Sequence, residues 1–200
     1  MLNTSWYSSA TLNEDWYSTQ QLADLVKLVN HVSNLTGEIV EIGCWEGKST
    51  IAIANACYPE NLICNDTWLG NVEESKLTGE KHVTEIILQK RDVYQTFLRN
   101  MNLSTQQNYN VVKEDCIAWL KTFDEPIKFI HIDASHEYES VFETIRLVLP
   151  KMVRGGIICG DDFLTSNASR LDLHGGVERA VRELIPNVRN SGNLWYYVIE

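Results

Sequence analysis

Two acidic segments of the sequence could hold a divalent cation. Asp133 ends the apolar run KFIHID, and the pair Asp161 and Asp162 ends the run GGIICGDD. Neighbouring strands lie ~4.8 Å apart, so if the two runs pair, three carboxylates come within a few ångströms of one another. They stay ionised together only if a cation lies among them or if their pKa values rise. Oxygen ligands favour a hard ion, with Mg²⁺ ahead of Mn²⁺ and Ca²⁺, and solvated or proton-sharing carboxylates are the alternative.

A glycine-rich turn after an earlier apolar run could hold a nucleotide-like ligand. It has the sequence EIGCWEGKST and runs from Glu41 to Thr50. A P-loop requires four residues between its first glycine and the Gly-Lys-Ser/Thr, whereas three separate Gly43 from Gly47. A dinucleotide-binding turn requires a glycine at the position of Trp45, whose bulk blocks close approach to a pyrophosphate. What remains is an acid and two glycines around a small ligand, with Glu41 facing an ammonium or sulfonium cation, or a turn that merely connects strand to helix.

Acidic residues also follow the next two predicted strands. Asp66 comes shortly after the run LIC, where an acid can accept hydrogen bonds from both hydroxyls of a ribose. Asp115 comes shortly after the run NVV. Each has a structural alternative, because Asp66 could form a turn and Asp115 could cap the helix that follows. Their occurrence after successive strands favours a binding site.

These residues require a scaffold of alternating strands and helices. Ser18 and Gln21 fit a capping box, and the spacing of apolar residues predicts a helix from there to about Leu35. The other predicted elements are strands at 39–42, 62–64, 110–112, 127–132, 156–159 and 194–199, and helices at 49–57, 83–101, 117–123, 137–149 and around 177–184. This alternation predicts an α/β, Rossmann-like, doubly wound and mostly parallel sheet with an antiparallel C-terminal strand, in a single domain. Such folds bind ligands at the carboxyl ends of their strands, near the switch in strand order.

The first twenty residues are predicted to form an N-terminal arm or lid, ahead of a domain that spans residues 21–200. Four aromatic residues of the arm could close over an acceptor or simply pack the arm onto the body: Trp6, Tyr7, Trp16 and Tyr17. The long, charged segment 70–90 is interpreted as an insertion near the site.

The composition argues against several classes of function. The 17 Lys and Arg residues against 27 Asp and Glu give a formal net charge of −10, which repels nucleic acid. No apolar stretch reaches the length of a membrane helix, and the first residues, MLNTSW, lack the features of a signal peptide. The five cysteines show no C-x-x-C spacing and are predicted to be reduced core thiols. We therefore expect a cytoplasmic protein without a membrane or nucleic-acid partner.

The turn EIGCWEG resembles the first motif of class I methyltransferases, which use S-adenosylmethionine. The two acidic segments, the DTW element at Asp66 and the GVERAV segment at Gly176 resemble the metal-dependent O-methyltransferase group that includes the macrocin-type sugar methyltransferases. The resemblance extends from about residue 37 to residue 185. The antibiotic-tailoring members carry extra substrate-binding structure at the amino end, where this sequence is short, so the resemblance leaves the acceptor open.

The resemblance implies S-adenosylmethionine as cofactor and a set of residues around it. Asp66 would bind the ribose, and Asp115 would lie near the adenine amino group. The implied cofactor-binding residues are Glu41, Gly43, Cys44, Trp45, Gly47, Ser49, Asp66, Trp68, Asp115 and Cys116. The implied ligands of a divalent cation, Mg²⁺ first, are Asp133, Asp161 and Asp162, and the implied catalytic residues are Asp133 and His136, with His136 as the base.

This resemblance leads to a hypothesis for methyl transfer. The cation would bind one or two hydroxyls of a sugar-, polyol- or catechol-like acceptor and lower their pKa, while His136 takes the proton. His136 could instead be a helix-start residue bonded to backbone. His174 is a weaker candidate for the base, His131 is expected in the core, and His31 and His82 receive no role.

Two other classes of function stay open at this point. The domain could bind a nucleoside without catalysis or act as an oligomeric scaffold, or it could be a metal-dependent hydrolase or hydroxylase that uses the same carboxylates. Pure binding requires neither the three acids nor His136, which favours an enzyme. The expected partner is a small hydroxylated molecule, and a homo-oligomer is left open.

Overall fold

Seven strands form one sheet in the computed structural model, which describes residues 2–163 and 171–200. The strands are β1 Glu38–Ile42, β2 Leu62–Asn65, β3 Tyr109–Val112, β4 Ile127–Ile132, β5 Met152–Gly160, β6 Arg189–Ser191 and β7 Leu194–Val198. They follow the order β3-β2-β1-β4-β5-β7-β6, in which β1 to β5 pair in parallel and β7 pairs antiparallel to both its neighbours. The strand order reverses between β1 and β4, which creates a crevice at their carboxyl ends.

Helices pack on both faces of this sheet and connect its parallel strands. They are α1 Thr19–His31, α2 Lys48–Cys57, α3 Val72–Thr78, α4 Val83–Leu88, α5 Val93–Ser104, α6 Cys116–Thr122, α7 Tyr138–Val148 and α8 Leu171–Leu184. Short 3₁₀ turns occur at Thr4–Tyr7 and Leu149–Lys151. Among the described residues, no helix has the length and apolar character needed to cross a membrane.

Two apolar cores follow from the alternation of side chains along the strands. Ile39 and Phe129 belong to the core that includes residues of α1, α2 and α5. Val40 and Ile130 belong to the core that includes residues of α6, α7 and α8. Both faces of the central strands are therefore covered, which explains why their sequences are almost continuously apolar.

The predicted fold class is confirmed, and several element boundaries differ from the prediction. The predicted helix 83–101 is two helices, because the side chain of Asp92 caps a new helix by accepting from the Gln95 N–H at 3.0 Å. The insertion 70–90 contains α4 and also the helix α3, which was not predicted. The first helix ends at His31 instead of Leu35. The exposed strand β6 was missed because its sequence, RNS, has no apolar residue to signal a strand.

The five cysteines are free thiols, and four of them are buried. Burial raises the pKa of the Cys44 and Cys159 thiols well above the ordinary range, and it raises the pKa of Cys57 to about 12. Thiols in such surroundings stay protonated and unreactive. This placement agrees with the predicted role as core residues.

Candidate active site

A cavity of about 750 Å³ opens at the carboxyl ends of the parallel strands, where the strand order reverses. Its wall comes from segments that are far apart in the sequence: residues of the arm, the turn after β1, the loops after β2 and β3, and the acidic ends of β4 and β5. The predicted site residues that line it are Gly43, Cys44, Trp45, Ser49, Asp66, Asp115, Cys116, Asp133, His136, Asp161 and Asp162.

The turn after β1, residues Gly43–Gly47, lies directly against the end of β4. Gly43 has a φ of +86°, and a Cβ on it would lie 1.8 Å from the carbonyl oxygen of Asp133. Only glycine fits there, since both the dihedral angle and the space exclude a side chain. Gly47 has a φ of +92° and begins α2 as its N-cap. Gly47 does not line the cavity, so its contribution is to the shape of the turn.

Asp66 holds this turn in place. Its carboxylate accepts hydrogen bonds from the backbone N–H groups of Cys44 at 2.8 Å, Trp45 at 2.9 Å and Trp68 at 2.7 Å. Burial raises the pKa of Asp66, although these three hydrogen bonds act in the opposite direction. The predicted turn-forming role is therefore present in the structure. The contact of Asp66 with a ribose stays a prediction, and its position in the cavity wall is compatible with it.

Three further predicted residues support the cavity in different ways. Trp68 is buried beneath the turn, where its indole N–H donates to the Trp45 carbonyl at 2.9 Å. Asp115 caps α6 by accepting from the Ala118 N–H at 2.9 Å, and it also lines the cavity. Glu41 is fully buried and does not line the cavity, so the structure gives no support to its predicted contact with a ligand cation.

Glu41 instead begins a buried chain of polar side chains. Its Oε1 lies 3.3 Å from Nδ1 of His131, whose Nε2 lies 3.3 Å from the phenol oxygen of Tyr17. That phenol donates to Oδ2 of Asp133 at 2.6 Å. Burial by itself lowers the pKa of His131, but the hydrogen bond and the charge of Glu41 raise it above its ordinary value. His131 thus lies in the core as predicted, in contact with a carboxylate.

Asp133, His136 and Asp162, called here the acid–histidine cluster, line the cavity just beyond the ends of β4 and β5. Each offers a ligand atom within 4.8 Å of the other two. Nε2 of His136 lies 2.9 Å from Asp162, and Nδ1 lies 2.8 Å from Glu74. Asp161 is not a member, because its carboxylate accepts from the Gln21 side chain at 3.1 Å. The expected trio of aspartates is therefore only partly assembled, with a histidine in the third position.

The electrostatics of the cluster favour a positive charge. Burial and the charge of Asp162 raise the pKa of Asp133, and burial followed by the charge of Asp133 raises the pKa of Asp161. Burial alone would lower the pKa of His136, but its hydrogen bonds to Asp162 and Glu74 raise it to about 10. A bound divalent cation would satisfy the same carboxylates, so the donor set fits such an ion.

Sequence reasoning missed several residues of this region. Glu74 of α3 joins His136 to His82, with its second oxygen 3.4 Å from Nε2 of His82. His82, which received no role in the sequence analysis, belongs to a group of potential ligands with Glu74 and His136. The charged segment 70–90 was the available signal. The side chain of His174 lies outside the described part of the structure.

The arm forms one wall of the cavity through polar contacts with the body. Arg91 donates to Glu14 of the arm at 2.5 Å and to Glu46 of the turn at 2.7 Å. Trp16 packs on Trp45 with ring centroids 5.5 Å apart. The arm is thus attached to the glycine turn after β1, which also lines the cavity.

Asn100 of α5 binds the arm through its side-chain amide, and we expect removal of this amide to detach the arm. The buried amide accepts from the Thr11 N–H at 2.7 Å and donates to the carbonyls of Thr11 and Glu46, both at 2.8 Å. Asn100→Ala leaves these groups unsatisfied, so unfolding in urea should show a loss of about 3 kcal/mol. Asn102 lies on the same helix, and Asn102→Ala removes only an exposed contact with Tyr109 of β3, so it should change stability by less than about 0.5 kcal/mol. Equal losses in the two variants would contradict this role.

Comparisons with known proteins agree with this geometry. The profile of a methyltransferase domain family matches residues 40–163, more than half of the chain and including the turn and all three aspartates. No curated protein matches the chain.

Several solved structures are similar in fold. The O-methyltransferase NovP has a TM-score of 0.67 and 18% identity, with coverage of 90% of this chain and 79% of NovP. The calicheamicin methyltransferase CalS11, a TDP-rhamnose 3'-O-methyltransferase, has a TM-score of 0.58 and 16% identity, with coverage of 90% and 80%. Cofactor-bound Rv0187 from MTB has a TM-score of 0.63 and 16% identity, with coverage of 98% and 86%. At these identities the similarity concerns the fold alone.

Proposed function

The chain belongs to the family of this methyltransferase domain, and from that premise we propose that it transfers the methyl group of S-adenosylmethionine to a hydroxyl oxygen of a small acceptor, assisted by a divalent cation. One observation carries the proposal. The glycine turn and the acid–histidine cluster line the same cavity, and Gly43 of the turn lies against the backbone of Asp133. A methyl donor and an activated oxygen must meet in one enclosed space, and this cavity provides it.

The residues around the turn fit the cofactor. S-adenosylmethionine supplies an electrophilic methyl group when bound. The missing side chain of Gly43 lets the turn lie against the end of β4, and Asp66 keeps that backbone in one conformation at the cavity wall. Asp115 and Cys116, which line the same cavity, would flank the adenine. The arm covers the turn from the other side and limits access of water.

The acid–histidine cluster fits the acceptor and the cation. Asp133 and Asp162 would hold a divalent cation, with Asp161 as a third carboxylate nearby, and that ion would lower the pKa of an acceptor hydroxyl. His136 lies between Asp162 and Glu74 and would hold the proton that the hydroxyl loses. With a carboxylate at each ring nitrogen and a pKa raised to about 10, His136 holds a proton on both nitrogens. It must pass one of them to a carboxylate such as Glu74 before it can take the proton of the hydroxyl. A sugar-like or other polyol acceptor is supported by the oxygen-rich wall and by the similarity in fold to CalS11.

Calorimetry tests the cofactor first. Titration of the chain with S-adenosylmethionine, with and without Mg²⁺, should give one site per chain. Failure to bind at millimolar cofactor would contradict a methyltransferase. Release of S-adenosylhomocysteine in the presence of candidate sugars and catechols then identifies the acceptor, and release that is unchanged without any acceptor would indicate hydrolysis instead.

His136→Ala should separate binding from turnover. Because His136 contacts the acid cluster rather than the turn, we expect cofactor affinity within about twofold of the wild type and turnover reduced about 100-fold or more, as is usual on removal of a general base. Parallel calorimetry and methyl-transfer assays measure the two quantities. Loss of cofactor binding in this variant would assign His136 a structural role.

A further inference from the structure

The buried polar chain described above ends at the wall of the cavity. It joins Glu41, His131, Tyr17 and Asp133 in that order, and the link between Tyr17 and Asp133 is the shortest at 2.6 Å. Tyr17 belongs to the arm, whereas the other residues belong to the sheet or its edge. Glu41 and His131 are fully buried, and Oε2 of Glu41 has no partner among the described residues. Burial of a carboxylate whose oxygens are not all paired lowers the stability of the fold, so this arrangement requires an explanation.

The fold brings these residues together for simple reasons. Glu41 and His131 are register partners on the parallel neighbours β1 and β4, so their side chains project from the same face of the sheet. That face packs against α1, and Tyr17 immediately precedes Ser18, the N-cap of α1. Gln21, in the first turn of the same helix, donates to Asp161. The start of α1 therefore contacts the acidic ends of both β4 and β5.

The direction of the hydrogen bonds follows from their donors. A phenol has one hydrogen to donate, and the acceptor at 2.6 Å is the carboxylate of Asp133. The phenol oxygen can then accept from Nε2–H of His131, whose opposite nitrogen faces Glu41. Glu41 and His131 thus fix the phenol from behind, and the phenol fixes Oδ2 of Asp133. The other oxygen of Asp133 remains for the cavity.

We propose that Tyr17 is a positioning residue that holds the carboxylate of Asp133 in the orientation in which it binds a divalent cation, with Glu41 and His131 as its support. Its part in methyl transfer rests on the proposed function. The arm is then a component of the active centre and not a separate lid. Because Tyr17 reaches Asp133 through a side chain of the arm, docking of the arm and preparation of the cation site are one event.

Tyr17→Phe tests the inference, because it removes the hydroxyl and keeps the ring. Supporting contacts of this kind typically contribute about 10- to 100-fold to cation affinity, so Mn²⁺ titration followed by electron paramagnetic resonance should show at least tenfold weaker binding. Affinity for S-adenosylmethionine should stay within about twofold, since Tyr17 makes no contact with the glycine turn among the hydrogen bonds described. Tyr7→Phe is the matched control, because that phenol donates to the Lys48 carbonyl at 2.9 Å and not to an aspartate. It should bind Mn²⁺ like the wild type.

The outcomes distinguish this inference from the proposed function. Mn²⁺ affinity of Tyr17→Phe within twofold of the wild type would overturn the inference, and so would a wild-type chain that binds no Mn²⁺. Failure of the wild type to bind S-adenosylmethionine, with the Mn²⁺ effect intact, would overturn the methyltransferase proposal and leave the role of Tyr17 standing. If Tyr17→Phe does not fold, a crystal structure of the wild type with Mn²⁺ decides. We expect one oxygen of Asp133 on the ion and the other on Tyr17, and a phenol turned away from Asp133 would refute the role.

Discussion

Gly43→Ala should weaken the binding of S-adenosylmethionine and reduce methyl transfer by at least about 100-fold, since a displacement of about 1 Å in a site can cost that much in rate. The added Cβ would lie 1.8 Å from the Asp133 carbonyl oxygen, which belongs to backbone and cannot rotate away. The N–H of Asp133 donates to the Ile42 carbonyl at 2.8 Å, so this backbone is held at the end of the sheet. The overlap can be relieved only by moving the turn. Together with the positive φ, we expect a stability loss of about 2 to 5 kcal/mol.

Gly79→Ala separates the cost of the positive φ from the cost of the overlap with β4. Gly79 has a φ of +73°, close to that of Gly43, but nothing lies within 4 Å of an added Cβ. This variant should lose about 1 to 2 kcal/mol, the cost of a left-handed conformation, and should bind the cofactor normally. Urea denaturation and calorimetry measure both variants. If Gly43→Ala behaved like Gly79→Ala, close contact between the turn and β4 would not matter for the site.

Asp133→Asn should abolish measurable cation binding and reduce methyl transfer more than the Tyr17 variant does. The substitution keeps the size of the side chain but removes a negative charge from the acid–histidine cluster, where the charge of Asp162 already raises the pKa of Asp133. A lost ligand should exceed the about 10- to 100-fold effect of a lost supporting contact. Cofactor affinity should be nearly unchanged, because the contacts of the turn run through Asp66.

Asp92→Asn is the control for this charge change. Asp92 caps α5 outside the cavity, and asparagine caps a helix about as well as aspartate. It should match the wild type in stability, Mn²⁺ binding and turnover. If Asp133→Asn bound the cation as tightly as the wild type, Asp133 would not be a ligand of the cation. The proposed positioning role of Tyr17 would then fail as well.

The parts of the site built from strand ends were predictable from the sequence. The turn after β1 requires glycine at positions 43 and 47 because of its positive φ angles. Parallel pairing brings the acids that follow successive strands to the same edge of the sheet, whatever the connecting helices are. The fold class was predictable for the same reason. Asp66 shows the limit, since the sequence placed it at the cavity but did not reveal that it already binds three backbone N–H groups.

The residues that were missed come from segments whose docking depends on tertiary contacts. Glu74 and His82 lie in the segment 70–90, whose charge indicated a place near the site, but no local pattern indicates which of its side chains meet His136. Glu41 was expected to face the ligand because it precedes the turn. The alternation of side chains in β1 instead directs it towards the α1 side, where His131 is its neighbour. The sequence of a strand does not reveal which helices pack on each of its two faces.

The attachment of the arm also has a consequence for biosynthesis. Thr11 bonds to Asn100, 89 residues later, and Tyr17 bonds to Asp133, 116 residues later. During translation the arm leaves the ribosome long before either partner has been made, and contacts of such long sequence separation form late. The contact of Tyr17 with Asp133 can therefore form only after the fourth strand has emerged, so the end of the arm is among the last parts of the fold to be fixed.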